Sequence, residues 1–254
     1  MSNSTIDIAR RAIACLDLTN LAEDCRSEDI VKLCARASSD FGSVAAICIW
    51  PKFVAEAKPL LGGSSVRIAT VINFPSGQDS LDASLAEATR ALDDGADELD
   101  LVLPYRAFLE GDEIFPARVI AEVAKLSDGE KTLKVILETG ALKQPDTIAR
   151  ASRLAIANGA NFLKTSTGKI AVSATPDAAE IMLSEIKASG KPVGFKAAGG
   201  VKSVADAAVY FGIADRIMGT GWAKPSTLRF GASGLLDALI DAIEGRASVA
   251  KAGY

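Results

Sequence analysis

The stretch LKVILETGALKQPDTIARASRLAIANGANFLKTSTGK, residues 133–169, contains one complete strand–helix–strand unit. An apolar run, 133–138, precedes a segment of helical periodicity, 145–158. A Gly159-Ala160-Asn161 turn then leads into a second apolar run, 161–164. Pro145 suits a first helical turn, where no N–H is needed. Gly159 suits a left-handed helix stop. Apolar runs without alternation mark strands covered on both faces, as in a parallel sheet.

The same unit repeats outward in both directions. Strands are predicted at 14–17, 44–49, 67–72, 98–103, 192–196 and 215–218, besides the two just quoted. Helical patterns fall at 27–38, 51–61, 80–94, 113–126, 176–189 and 203–210, with a last one at 233–244 and an extra one at 3–14. Gly95-Ala96-Asp97 and, more loosely, Gly212–Asp215 repeat the turn at Gly159. Eight strands, each followed by a helix, in about 250 residues is the count for a (β/α)8 TIM barrel. The expectation is one barrel domain over residues 1–254 with an extra N-terminal helix; an open doubly wound sheet is the rival.

Composition narrows the chemistry. The chain has 254 residues, a formal charge of −4 and no histidine. An acidic balance does not fit a nucleic-acid surface. Without histidine, Ser–His and Cys–His nucleophile systems and His-ligated metals are excluded, leaving Lys, Asp, Glu, Cys and Tyr. The four cysteines lack zinc or redox spacing, so reduced thiols and a cytoplasmic location are expected. No apolar run reaches the roughly 18 residues that span a bilayer.

In such barrels the active site gathers at the C-terminal strand ends. The chain offers Asp17, Cys48, Asn73, Asp100, Glu138, Lys164 and Lys196 there. Lys134 lies earlier in its strand, hence deeper, and reads as the partner of a carboxylate such as Asp100. Lysines in apolar strands are costly, because the ammonium loses water. Two of them, each followed by a glycine-containing turn, point to an amine nucleophile beside a second ammonium that favours its neutral form. Either lysine could be the nucleophile. A Schiff base turns a carbonyl into an electron sink, as carbon–carbon cleavage requires, and Asp100 is the carboxylate best placed to move protons. Glycine turns at 165–169, 198–202 and 229–234 together suggest a phosphate site.

With these residues assembled, the chain resembles the class I deoxyribose-phosphate aldolases. The resemblance rests on residues 16–19, 45–49, 96–100 with 104–106, and 133–140, and most specifically on Phe162–Lys169, Gly194-Phe195-Lys196 with Gly199-Gly200, and Arg229–Ser233. It implies reversible cleavage of 2-deoxy-D-ribose 5-phosphate to D-glyceraldehyde 3-phosphate and acetaldehyde, in deoxyribose catabolism, without metal or cofactor. Its partners would be the phosphorylated sugar and short aldehydes, not nucleic acid or membrane, with a homodimer left open. It implies Lys164 as the Schiff-base residue, Lys196 as its tuning neighbour and Asp100 as the relay carboxylate. Asp17, Cys48, Thr167, Gly168, Lys169, Gly199, Gly200, Gly231, Ser233 and Gly234 would contact substrate, with Lys134 and the terminal Tyr254 behind them. Ala197, Gly234 and Thr220-Gly221-Trp222 depart from the family's usual proline, serine and Ala-Asp-Trp. Another lysine aldolase, a sugar-phosphate isomerase and a non-catalytic sugar-phosphate binder are the alternatives.

Overall fold

The computed structural model describes residues 3–127 and 129–246. Eight parallel strands form a closed barrel: β1 Leu16–Asn20, β2 Ala46–Ile49, β3 Arg67–Ile72, β4 Glu98–Val102, β5 Thr132–Ile136, β6 Phe162–Lys164, β7 Gly194–Ala198 and β8 Leu228–Ala232. The last strand pairs with the first through Leu16↔Phe230 and Asp17↔Gly231, which closes the barrel and disposes of the open-sheet rival. A helix follows each strand, and Asn3–Ala14 precedes β1. Pro145 acts as read, and further local signals join it. Pro145 and Pro176 open their helices, Thr175 accepts the Ala178 N–H, and Ser203 forms a capping box with Asp206. Each cap contributes about 1 kcal/mol.

Alternation along the strands sorts side chains into two environments. Ile47, Ile49, Ile68, Ile72, Leu99, Leu101, Val135, Leu163, Phe195 and Phe230 join the main core shared with the helices. Their alternates fill the barrel. From β2 and β3 come Ala46, Cys48, Ala69 and Val71, a separate small apolar cluster. From the other six strands come Asp17, Glu98, Asp100, Lys134, Lys164, Lys196 and Arg229, all buried. The barrel interior is therefore small and apolar beside β2 and β3, and charged along the other six strands.

Three expected boundaries move. The predicted eighth strand at 215–218 is the end of the helix Val204–Met218, and Gly212 lies inside that helix. Ile213 and Ala214 are buried while Gly212 and Arg216 are exposed, the pattern of a helical face; the short apolar pair Ile217-Met218 at its end imitates a strand. The true β8 contains Arg229-Phe230-Gly231, which reads as a glycine turn because of its small residues. The first strand starts later and runs to Asn20, so Asp17 lies near its beginning instead of at its end. Strand β7 continues to Ala198, so Lys196 sits in mid-strand, whereas Lys164 closes β6.

Candidate active site

The barrel strands converge on Asp100. Its Oδ1 accepts a hydrogen bond from Lys134 Nζ at 2.7 Å. Its Oδ2 accepts from Lys164 Nζ at 2.7 Å and Lys196 Nζ at 2.8 Å. Lys164 and Lys196 are register partners on β6 and β7, so their side chains arrive together. Below them a second layer closes the charge balance. Lys134 reaches Glu98 at 2.6 Å, Lys196 reaches Asp17 at 2.5 Å, and Arg229 bonds both Asp17 (2.6 Å) and Glu98 (3.0 Å).

Among the described residues this network sets four cations, Lys134, Lys164, Lys196 and Arg229, against three carboxylates, Asp17, Glu98 and Asp100. The surplus is one positive charge. Lys134, Lys196 and Arg229 each contact at least two carboxylates, and Lys164 contacts only Asp100. Lys164 is also 3% exposed where Lys134 and Lys196 are fully buried. Lys164, at the mouth, is thus the cation with the fewest carboxylate contacts in the network.

The electrostatics follow from this packing. Burial would disfavour the charge on Asp100, but Lys134, Lys164 and Lys196 outweigh it and hold the carboxyl well below the usual range. Burial likewise opposes the Asp17 charge, and Lys196 and Arg229 overcome it. Burial would lower the Lys196 ammonium, yet Asp100 and Asp17 hold it well above the ordinary lysine value. The interior works as mutually compensating ion pairs in low dielectric, where each charge depends on its partners.

A cleft above the network is lined by Thr19, Leu21, Lys164, Thr167, Gly168, Lys169, Ala198, Gly199, Gly231, Ala232 and Ser233. It brings together Lys164 and six of the ten expected substrate contacts, Thr167, Gly168, Lys169, Gly199, Gly231 and Ser233. Gly199 and Gly200 both adopt left-handed backbone, with φ 78° and 85°, and a Cβ on Gly199 would meet Ser173 at 2.6 Å. The helix Leu235–Glu244 starts directly after Ser233 and Gly234, which sets its positive end beside the cleft.

Other expected residues lie elsewhere. Asp17 is in the ion-pair layer beneath the cleft. Cys48 is fully buried with its thiol 3.9 Å from Asp100 Oδ2, and burial raises its pKa. Gly200 and Gly234 flank the cleft lining without joining it. Lys134 pairs with Asp100, as its depth suggested. Tyr254 lies outside the described residues. Sequence reading missed Glu98 and Thr19. Glu98 stands two residues before Asp100 on β4, and Thr19 two after Asp17 on β1, so alternation along β4 would have exposed the first and a longer β1 the second.

The model of the DeoC/LacD family aldolases matches residues 11–235. The chain belongs to this family. It is 52% identical over 250 residues to the deoxyribose-phosphate aldolase of Agrobacterium fabrum, covering 98% of this chain and 96% of that one. A crystal structure from Toxoplasma gondii, described as a candidate deoxyribose-phosphate aldolase in its apo form, superposes with a TM-score of 0.87 at 27% identity, covering 98% of this chain and all of that one. The deoxyribose phosphate aldolase of Aeropyrum pernix, described as a tetramer, gives a TM-score of 0.76 at 28% identity, with 94% and 92% covered. Among the described residues no group of His, Cys, Asp and Glu could hold a metal ion, and no helix is long and apolar enough to cross a membrane.

Proposed function

We propose that the chain acts as a single barrel domain in which Lys164 forms the Schiff base of an aldolase reaction, the reversible cleavage of 2-deoxy-D-ribose 5-phosphate to D-glyceraldehyde 3-phosphate and acetaldehyde. The substrate follows the Agrobacterium relative, a deoxyribose-phosphate aldolase identical at half of its positions. One observation carries the choice of nucleophile: Lys164 is the network's surplus cation, with a single carboxylate partner. Loss of its proton leaves the ion-pair network with three cations and three carboxylates, whereas loss from Lys134 or Lys196 would strip at least two carboxylates of a partner.

The neutral amine adds to the C1 aldehyde of the open-chain sugar. Lys196 gives a proton to the carbinolamine hydroxyl, water leaves, and an iminium forms on Lys164. The Asp100–Lys196 pair then takes the C3 hydroxyl proton. The C2–C3 bond breaks, its electron pair passes into the iminium, and glyceraldehyde 3-phosphate departs. Return of that proton to C2 of the enamine and hydrolysis release acetaldehyde and restore the amine. Asp100 supplies the acceptor that both lysine nitrogens already touch.

Thr167, Gly168, Lys169, Gly199, Gly231 and Ser233 would receive the phosphate end. Left-handed glycine backbone, the Lys169 charge and the N-terminus of Leu235–Glu244 suit an anion. Borohydride reduction in the presence of acetaldehyde, followed by peptide mass spectrometry, tests the reading. The adduct is expected on Lys164; labelling confined to Lys196, or cleavage of the phosphorylated sugar surviving Lys164→Met, would sink it. Activity in excess EDTA is expected to match the untreated enzyme.

A further inference from the structure

Glu138 follows the end of β5 in left-handed backbone, φ 58° and ψ 58°. For a residue with a Cβ this conformation is unfavourable, and it persists where the surroundings impose it. Gly140 lies two residues on, so a conformationally free residue is present in this very turn but does not occupy the strained position. The Glu138 side chain is fully buried, yet among the described residues no ion pair reaches it. Instead its carboxylate accepts the Thr167 N–H, at 3.3 Å to one oxygen and 3.4 Å to the other, and the Thr167 hydroxyl as well. The Thr167 hydroxyl in turn accepts the Lys169 N–H at 3.0 Å. Glu138, Thr167 and Lys169 form one continuous chain of hydrogen bonds.

That chain acts on the cleft wall next to Lys164. Two neighbours of Glu138 hold the same loop. The Thr139 N–H donates to the Thr165 carbonyl at 2.9 Å, and a Cβ on Gly140 would lie 2.0 Å from the Val172 carbonyl oxygen. The loop is thus clamped before and after the Thr167–Lys169 turn, and the turn itself is held by Glu138. At its far end Lys169 Nζ donates to the Leu21 carbonyl across the cleft, at 2.8 Å. Burial raises the Glu138 pKa, and the bonds from Thr167 favour its ionised form.

We propose that Glu138 is a positioning residue for substrate binding: its carboxylate fixes the Thr167–Lys169 turn against Lys164, so that the turn receives the anionic end of the substrate at the distance the Schiff base requires. This rests on the phosphate reading above. A group that positions only the anion subsite should affect phosphorylated and unphosphorylated sugars unequally, which a general support of the fold would not do.

The test compares Glu138→Gln, Glu138→Ala and Thr167→Val with the unaltered enzyme on 2-deoxyribose 5-phosphate and on 2-deoxyribose. In Glu138→Ala, kcat/KM for the phosphorylated sugar is expected to fall at least 30-fold, mainly through KM, and for the unphosphorylated sugar no more than 5-fold. Glu138→Gln keeps one acceptor and should lie between the two, and Thr167→Val should share the selective loss. Equal losses on both sugars, or full retention of the phosphate preference in Glu138→Gln and Thr167→Val, would overturn the proposal, and the near-isosteric pair keeps the test alive if Glu138→Ala does not fold. An unaltered enzyme with no preference for the phosphorylated sugar would instead overturn the phosphate reading on which the proposal stands.

Discussion

Lys164 and Lys196 donate to the same oxygen, Oδ2 of Asp100, at 2.7 and 2.8 Å. Their nitrogens can be no farther apart than those two bonds allow, so each ammonium feels the other directly. Lys196 is fixed from behind by Asp17, and among the described residues Lys164 pairs with no second carboxylate. The pair is unequal by construction: Lys196 is held between two carboxylates, and Lys164 by Asp100.

Replacing Lys196 should therefore do two things. Lys196→Met removes a proton carrier, which lowers kcat about 10²–10⁴-fold. It also removes the surplus charge, so a protonated Lys164 becomes the ion that Asp100 needs. The rising limb of the pH–rate profile should move to higher pH. Residual activity whose pH profile matches the unaltered enzyme would leave Lys196 without a tuning role.

Arg229 tests the buried layer. It is the partner of both Asp17 and Glu98. Arg229→Met leaves those carboxylates under-neutralised in the barrel and should destabilise the protein by about 3–5 kcal/mol, the usual cost of breaking a buried pair. Adding Glu98→Gln should recover part of that loss, because one of the stranded charges is removed with it. Urea denaturation of the single and double variants measures both, and strict additivity would contradict the coupling.

Much of this was legible in the sequence because strand ends in a barrel have fixed meaning. Lys164, Lys196, Asp100 and the deeper Lys134 are found by position along apolar runs. What escaped was the network's lower layer. Glu98 and Arg229 act through each other and through Asp17, across strands far apart in the chain, and no local pattern records such a contact. Asp17 looked like a mouth residue because β1 was read as ending where it nearly begins. Arg229-Phe230-Gly231 looked like a loop because its glycine suggests a turn. In the structure Leu228 and Phe230 face the helices and Arg229 faces the barrel axis, the alternation of an ordinary strand.

Alkaline stability should carry the mark of Cys15. Burial pushes its thiol from 9.0 up to about 12, against the opposing charges of Arg229 and Arg11. The folded state then keeps the proton that the unfolded chain releases above pH 9, so stability falls as pH rises through that window. Cys15→Ala should reduce the slope between pH 9 and 10 by up to one proton, about 1.4 kcal/mol per pH unit. Lys134, Lys196 and Arg229 behave as cations with raised values, and their contribution is lost only above the ordinary lysine range, outside this interval. Urea midpoints at pH 8, 9 and 10 give the slope. A slope identical in the two proteins would mean that the thiol titrates alike folded and unfolded.

Gly231 separates space from conformation. It sits in β8 with ordinary backbone, so an alanine there meets no torsional strain, only neighbours. An added Cβ would lie 3.0 Å from Lys196 Cε and 3.1 Å from the Ala198 Cβ, closer than most real contacts of this kind. The glycine is room for the Lys196 side chain on its way to Asp100. Gly231→Ala should push that ammonium off the shared oxygen and lower kcat by roughly 10–100-fold, the scale of a displacement near 1 Å at a reacting group. Stability should fall by about 1–3 kcal/mol, as for an overpacked core. Because Gly231 also lines the cleft, KM for the phosphorylated sugar mixes two effects; borohydride trapping of acetaldehyde, which carries no phosphate, isolates the effect on the lysine pair. Trapping at the unaltered rate in Gly231→Ala would show that Lys196 tolerates the methyl group and that the glycine serves the substrate alone.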